Sequence, residues 1–208
     1  VLGECVFNTS LTGYQEVLTD PSYAGQIVCF TNPHIGNVGI NSDDYESNMP
    51  AVAGCVISEL SPIVSNWRSQ QSLSEFCAQA GIIGIHDVDT RALTQRLREK
   101  GSESACLAIG ISHEQALAKA KAHPSLQGKQ LASKVAVASP MQFETPSHYM
   151  QAMHRDKLDL ESAPHVVVLD YGVKRQMLHY LVDLGCKITL LPGDSDPELV
   201  LAKMPDAL

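Results

Sequence analysis

Apolar and polar positions alternate differently along three stretches of the chain. In the first, short β-rich runs at Gly3 to Asn8, Gln26 to Thr31 and Ala51 to Leu60 predict strands. Turn signals separate them at Thr19-Asp20-Pro21-Ser22-Tyr23 and at Pro33 to Gly39. In the second stretch the period switches back and forth. Ser72 or Ser74 caps a short helix over Glu75 to Ala80 that Gly81 ends, and Ile82 to Ile85 is a buried strand. Thr90 opens a helix with Leu93 and Leu97 on its apolar face, closed by Gly101. Ala105 to Ile109 is the next strand, and Ser112 with Gln115 makes a capping box for a helix ending before Pro124.

From Ser139 to Pro164 the periodicity fades among Pro140, Pro146, His148, His154 and the charges of Arg155 to Asp159. This stretch reads as an interdomain linker with room for a short hairpin or helical turn. It separates a domain over residues 1–138 from the start of another over 165–208. After it, His165 to Asp170 is a continuous apolar strand. Val173 to Leu184 is a helix with Met177, Leu178, Leu181 and Val182 inward, and Lys187 to Leu191 is a second strand. Ser195 and Pro197 mark the start of another helix. This β-α-β-α order opens a parallel, doubly wound sheet, so the expected class is α/β. Such a sheet needs about five strands. With two, the Val166 to Leu169 strand lacks neighbours to bury both faces, and exposure is expected there. The chain reads as a fragment of something longer.

Composition narrows the function classes. Apolar residues are 44% and charged residues 18%, which fits a globular chain with a real core. Fifteen Lys and Arg against 23 Asp and Glu give a net charge of −8, with no dense basic stripe. Nucleic acid and anionic membrane are therefore poor partners. The longest apolar runs fall far short of the roughly 20 residues a membrane span needs, and no signal peptide is expected. The six cysteines form no C-x-x-C pair and read as buried thiols in a reducing cytosol.

Five blocks carry candidate chemistry, each with a purely structural reading beside it. Asn8 to Glu16 is dense in hydroxyls and amides, which can bind a ligand or satisfy their own turn. Ser22 follows a proline in a turn, so its hydroxyl can be presented outward; no G-x-S-x-G surrounds it, and hydrogen bonding suits it better than nucleophilic attack. His34, beside Gly36 and Asn37, is an acid–base candidate or a loop anchor. His86-Asp87-Val88-Asp89-Thr90-Arg91 offers helix caps, with Asp87 or Asp89 as partner for Arg91, or a docking surface. Asp170-Tyr171-Gly172-Val173-Lys174-Arg175 is a strand-to-helix turn without a dinucleotide or Walker-type phosphate motif. The histidine spacings suggest no metal site.

The unbroken block from Gly3 through Asn8-Thr9-Ser10-Leu11-Thr12-Gly13-Tyr14-Gln15-Glu16 and Thr19-Asp20-Pro21-Ser22-Tyr23 to Val28 closely resembles the small, glutamine-using subunit of carbamoyl phosphate synthetase. Pro33-His34-Ile35-Gly36-Asn37, Asp87 to Thr94, Leu97 to Gly101 and Asp170 to Arg175 share the resemblance. It implies a β/α swivelling-type domain followed by the first βαβα part of a flavodoxin-like class I glutamine amidotransferase domain. The family releases ammonia from glutamine at a Cys-His-Glu site and passes it to a large subunit. That subunit uses bicarbonate, ATP and Mg to make carbamoyl phosphate for arginine and pyrimidine synthesis in the cytoplasm. The family serine that contacts L-glutamine matches Ser22.

The family nucleophile sits in a G-x-C-x-G-x-Q elbow, and none of the six cysteines has that setting; Cys5 follows Gly3 but has Phe7 where glycine is needed. The catalytic Cys, His and Glu are expected beyond Leu208. The chain alone is thus expected to be inactive toward glutamine and to hold no cofactor. The alternative is a non-catalytic module that docks on the large subunit. A generic flavodoxin-like domain would account for residues 165–208 but not for the first hundred or so.

Overall fold

A computed structural model describes residues 1–149 and 162–208. The calls on His154 and on Arg155 to Asp159 lie outside the described residues. The described chain forms two units, Val1–Lys129 and Gln130–Leu208. It is α/β, as the residue pattern predicts. No helix among the described residues is long and apolar enough to cross a membrane.

The first unit is built on a five-stranded sheet. Its strands are β1 (Leu2–Asn8), β2 (Gln26–Phe30), β4 (Gly54–Val56), β6 (Ile83–Ile85) and β7 (Glu103–Cys106). Their order is β6-β4-β2-β1-β7, with every pair parallel except β1 and β7. The two-residue strands β3 (His34–Ile35) and β5 (Glu59–Leu60) pair separately, in parallel. Strand β2 shows why both faces need cover. Val28 and Phe30 enter one core with Tyr14, Leu18, Cys55, Leu73 and Phe76, whereas Ile27 and Cys29 enter another with Cys5, Val56, Leu97 and Leu107. Helices α1 (Tyr14–Thr19) and α2 (Leu73–Ala80) supply the first core, and α3 (Thr90–Lys100) the second. A parallel sheet covered on both sides reads as continuous apolar runs rather than alternation, as it does here.

Side-chain caps set most of these helix starts. Ser72 Oγ accepts from Glu75 N–H while the Glu75 carboxylate accepts from Ser72 N–H, a reciprocal pair repeated by Ser112 and Gln115 at α4 (His113–Ala122). Asp89 accepts from Ala92 N–H at α3. The Glu4 carboxylate accepts from Leu126 N–H and Ser125 Oγ, tying the segment after α4 to β1 and holding that carboxyl below its usual range.

In the second unit β8 (Met141–Phe143), β10 (Lys187–Pro192) and β9 (His165–Asp170) form a sheet in that order, β10 parallel to β9 and antiparallel to β8. A one-turn helix, α5 (Ala132–Val135), precedes them. Helix α6 (Arg175–Asp183) packs Leu178 and Val182 on Ile188 and Leu190, and α7 (Pro197–Leu201) packs Val200 on Val167 and Leu191. Thr189 is buried, but its hydroxyl meets Gln142 and the His165 ring.

Several expectations change. The run Ala51 to Leu60 is two short strands, β4 and β5, which pair in different sheets. The strand expected at Ala105 to Ile109 is shifted back to Glu103–Cys106 by its register against Leu2–Cys5; Ile109 is 91% exposed. Tyr14–Thr19 is helical rather than turn. Met177 faces solvent, and Asp196, not Ser195, caps α7. The exposure expected over Val166 to Leu169 is partial: Val167 is fully buried, because β10 pairs with it and α7 covers its face, whereas Val166, Val168 and Leu169 are half-buried. Three of the six cysteines are only half-buried, and all six are free thiols.

Candidate functional site

Four of the candidate blocks meet around the five-stranded sheet, three of them after the carboxyl ends of its parallel strands. Asn8 ends β1, and its carbonyl accepts from Thr31 N–H just past β2. His34 follows β2, and Glu59, its register partner in the β3–β5 pair, follows β4. His86 and Asp87 follow β6. Loops beyond strand carboxyl ends are where open α/β sheets bind their ligands.

Local hydrogen bonds shape this rim. Asn8 Oδ1 accepts from Ser10 N–H at 2.8 Å and Asn32 Oδ1 from His34 N–H at 3.1 Å, two side chains imitating a backbone turn. Asn32 Nδ2 also donates to Leu11 O. The His34 ring lies 3.6 Å from the Glu59 carboxylate and the His86 ring 2.8 Å from that of Asp87, all four side chains well exposed. Exposed pairs of this kind contribute little stability, so their position matters more than their energy. Asp87 has a φ of 63°, left-handed for a non-glycine residue, and its N–H bonds Ser58 O at 2.9 Å. Aspartate is among the residues that tolerate this region. Arg91 is exposed and makes no ion pair among the described residues; Asp87 pairs with His86, and Asp89 is occupied as a cap.

Ser22 does not belong to that row. It sits before β2, on the 3-10 turn Pro21–Tyr23, with its side chain exposed. Two contacts hold the turn. The buried Asp20 carboxylate accepts from Ser22 N–H at 2.8 Å, and Asn8 Nδ2 donates to the Tyr23 hydroxyl at 3.0 Å. The serine hydroxyl is thus presented outward on a fixed backbone, as expected, and Tyr23 links its turn to the Asn8 block.

Behind the turn lies a buried polar network. Gln15 donates Nε2–H to Asn41 O at 2.6 Å and accepts from Asn41 N–H at 3.0 Å, acting like a strand partner for one residue. Thr19 Oγ donates to Gln15 O and accepts from Glu46 N–H, and its carbonyl accepts from Ser47 Oγ. Arg68 forks onto Asp44 at 2.9 and 2.8 Å and reaches Asp43 at 3.6 Å. Burial pushes the Tyr14 hydroxyl up to about 12 despite its bond to Gly39 O. Burial also raises the Glu16 carboxyl, with Asp44 and Glu46 adding to the effect. The residue pattern does not reveal this network. One signal was available: Arg68 is the lone charge between Ser61 and Gln71.

The fifth block is structural. Asp170 is buried at the end of β9; its Oδ1 accepts from Gly172 N–H and Val173 N–H at 2.8 Å each, and its Oδ2 from Val137 N–H at 2.7 Å. Its lone pairs are spent on backbone. No group of three or more His, Cys, Asp or Glu among the described residues is arranged to hold a metal ion.

The model of the carbamoyl-phosphate synthase small chain, CPSase domain, matches residues 1–107. Proteins named carbamoyl phosphate synthase small chain align with the whole chain. Those of Vibrio parahaemolyticus and Yersinia pestis are each 47% identical over 210 residues, and that of Thioalkalivibrio sulfidiphilus is 45% identical over 209. The chain spans about half the length of these relatives, 55%, 54% and 55% respectively. The matched segment contains both the strand-end rim and the Ser22 turn, and the chain belongs to the carbamoyl-phosphate synthase small chain family.

Proposed function

We propose that the chain is the amino-terminal part of the glutamine-using subunit of a carbamoyl phosphate synthase. Such a subunit splits L-glutamine to glutamate and ammonia. The ammonia goes to a large subunit, which holds ATP and Mg and joins the ammonia to bicarbonate for arginine and pyrimidine synthesis. The observation that carries this reading is the whole-chain alignment, at 47% identity, with proteins named carbamoyl phosphate synthase small chain. In this reading the first unit is the family's swivelling-type domain. The second is the opening of its flavodoxin-like amidotransferase domain, which the β9-α6-β10-α7 order supports. Six free thiols favour a cytoplasmic setting.

Ser22 is the residue proposed to touch glutamine, and its outward hydroxyl on an anchored turn supports that role. The chain by itself should not release glutamate. No cysteine lies in a G-x-C-x-G-x-Q elbow, and burial pushes the Cys5 thiol up to about 11 and the Cys29 thiol in the same direction, away from reactive thiolate.

The test uses the full-length subunit with its large partner. Ser22→Ala should raise KM for glutamine roughly tenfold, the worth of one good hydrogen bond, while synthesis from added ammonium keeps its rate. An unchanged KM for glutamine would remove Ser22 from the site. Glutamate release by the present chain alone would overturn its inactivity. Binding to the large subunit with no glutamine-dependent synthesis from the full-length protein would favour the docking-module reading.

A further inference from the structure

The turn that carries Ser22 is held from behind as well as by its own residues. Asp20, whose carboxylate accepts from Ser22 N–H, follows Thr19 at the end of α1. Thr19 is fully buried and gripped twice by a later loop. Glu46 N–H donates to its hydroxyl at 2.9 Å, and Ser47 Oγ donates to its carbonyl at 2.7 Å. That loop begins at Asn41, whose backbone N–H and C=O pair with the Gln15 side chain one turn earlier in α1. Residues 42–48 form no helix or strand. A local turn, in which Asn41 Oδ1 accepts from the N–H groups of Asp43 and Asp44, places the Asp44 carboxylate. Arg68 forks onto that carboxylate at 2.9 and 2.8 Å, and Asp44 Oδ2 also accepts from Asn41 Nδ2–H at 2.7 Å. Arg68 is itself set in place by its neighbours: Ser65 N–H bonds Asn37 O at 2.8 Å, Asn66 Nδ2 bonds Val38 O at 3.2 Å and Gln70 N–H bonds Ile40 O at 2.8 Å. A Cβ at Gly39, where φ is 67°, would collide with the Ser69 hydroxyl and stand 2.9 Å from Gln71 O, so glycine lets these two loops lie together.

We infer that Arg68 is a positioning residue for glutamine use, holding the Ser22 hydroxyl in place through Asp44, Asn41, Gln15 and Thr19. The inference rests on the reading of Ser22 as the residue that touches glutamine. No hydrogen bond along this path is longer than 3.0 Å, and none of Gln15, Thr19, Asp20 and Asn41 is more than 4% exposed. Buried polar groups matched in this way move together, because loosening one leaves the next without a partner and without water to replace it. An exposed ion pair would matter little. This one is forked, with its side chains only 26% and 25% exposed, and the carboxylate cannot turn toward water without releasing Asn41. Arg68 is also the cation among four acids: it contacts Asp43 and Asp44, and Glu16 feels its charge together with those of Asp44 and Glu46. Without it these carboxylates repel one another and push residues 41–47 off α1. The Ser22 turn then loses its backing, and a small displacement of a hydroxyl is enough to weaken its hold on a substrate.

The test compares Arg68→Met, Ser22→Ala and the double variant in the full-length subunit with its large partner. Arg68→Met should raise KM for glutamine roughly three- to fivefold, while synthesis from added ammonium keeps its rate. On the Ser22→Ala background the same substitution should change KM by less than about 1.5-fold, since no serine hydroxyl is left to position. Arg68→Lys keeps the charge but not the fork, and its KM should fall between those of the unsubstituted subunit and Arg68→Met. A KM unmoved by Arg68→Met would overturn the inference, as would equal effects on both backgrounds or a loss of ammonium-dependent synthesis. Ser22→Ala with an unchanged KM would remove Ser22 from the site and the inference with it. A raised KM in Ser22→Ala beside an unchanged one in Arg68→Met would remove Arg68 alone. If Arg68→Met fails to fold, Arg68→Lys measured on both backgrounds decides the matter.

Discussion

Among single residues, Glu16 is where burial and charge work against each other. It stands in the first turn of α1, a favourable place for an acid, yet burial raises its carboxyl above the ordinary 4.5 and Asp44 and Glu46 add repulsion. A group whose folded pKa is raised binds more protons in the folded state. Its contribution to stability is therefore greatest below the unfolded pKa and is lost as pH rises through the folded one. Glu16→Gln should accordingly raise Tm relative to the unsubstituted chain near neutral pH, and that gain should vanish on acidification below about pH 4. Thermal melts of both proteins across that range check this; a gain independent of pH would assign the effect to something other than the charge. Individual residues of the rim and the Ser22 turn were legible in the sequence because their types announce themselves: a serine after proline, a histidine near glycine, an aspartate before a helix. Their connections were not. Gln15 meets Asn41 across 26 residues and Arg68 meets Asp44 across 24, and no local period encodes such a distance.

At the scale of elements, what the sequence declared was whatever a few neighbouring residues decide. The Ser112 capping box, the cap at Ser72 and the helix from Thr90 to Gly101 are local, and they stand as expected. Helix α1 is different. Its cap is Gly13, with a left-handed φ of 81° and no side-chain acceptor, and its buried positions mix Tyr14, Gln15, Leu18 and Thr19, so neither capping nor periodicity marks it. Strands β3, β5 and β8 are two or three residues long and exist through partners far along the chain. Asp170 shows how much one side chain can hold. It joins the β9–α6 turn to Val137 through three backbone N–H groups. Asp170→Asn retains the shape but turns an amide donor toward one of those N–H groups. The expected loss is about 2–3 kcal/mol in urea unfolding of the second unit, since a buried donor is left unmatched. A loss under about 0.5 kcal/mol would show that the turn holds itself.

In the molecule as a whole, each unit encloses its own cores: two on the faces of the five-stranded sheet, two on the faces of the three-stranded one. Residues 1–129 expressed alone should therefore unfold in a single cooperative transition and keep a native far-ultraviolet spectrum. A broad, non-cooperative melt would show that they depend on the rest of the chain. The sheet in this unit has a further consequence, in time rather than in space. Strand β1 lies between β2, which follows closely, and β7, which follows only after β4 and β6 have joined the other side. A growing chain can assemble β1, β2, β4 and β6 in order as they are made, but one edge of β1 stays open until roughly a hundred residues later. During that interval Leu2 to Asn8 is an unpaired strand edge able to recruit another chain. Closure by β7 would then be the slow step of folding, and the amides of Glu103–Cys106 the last of the sheet to gain protection from exchange.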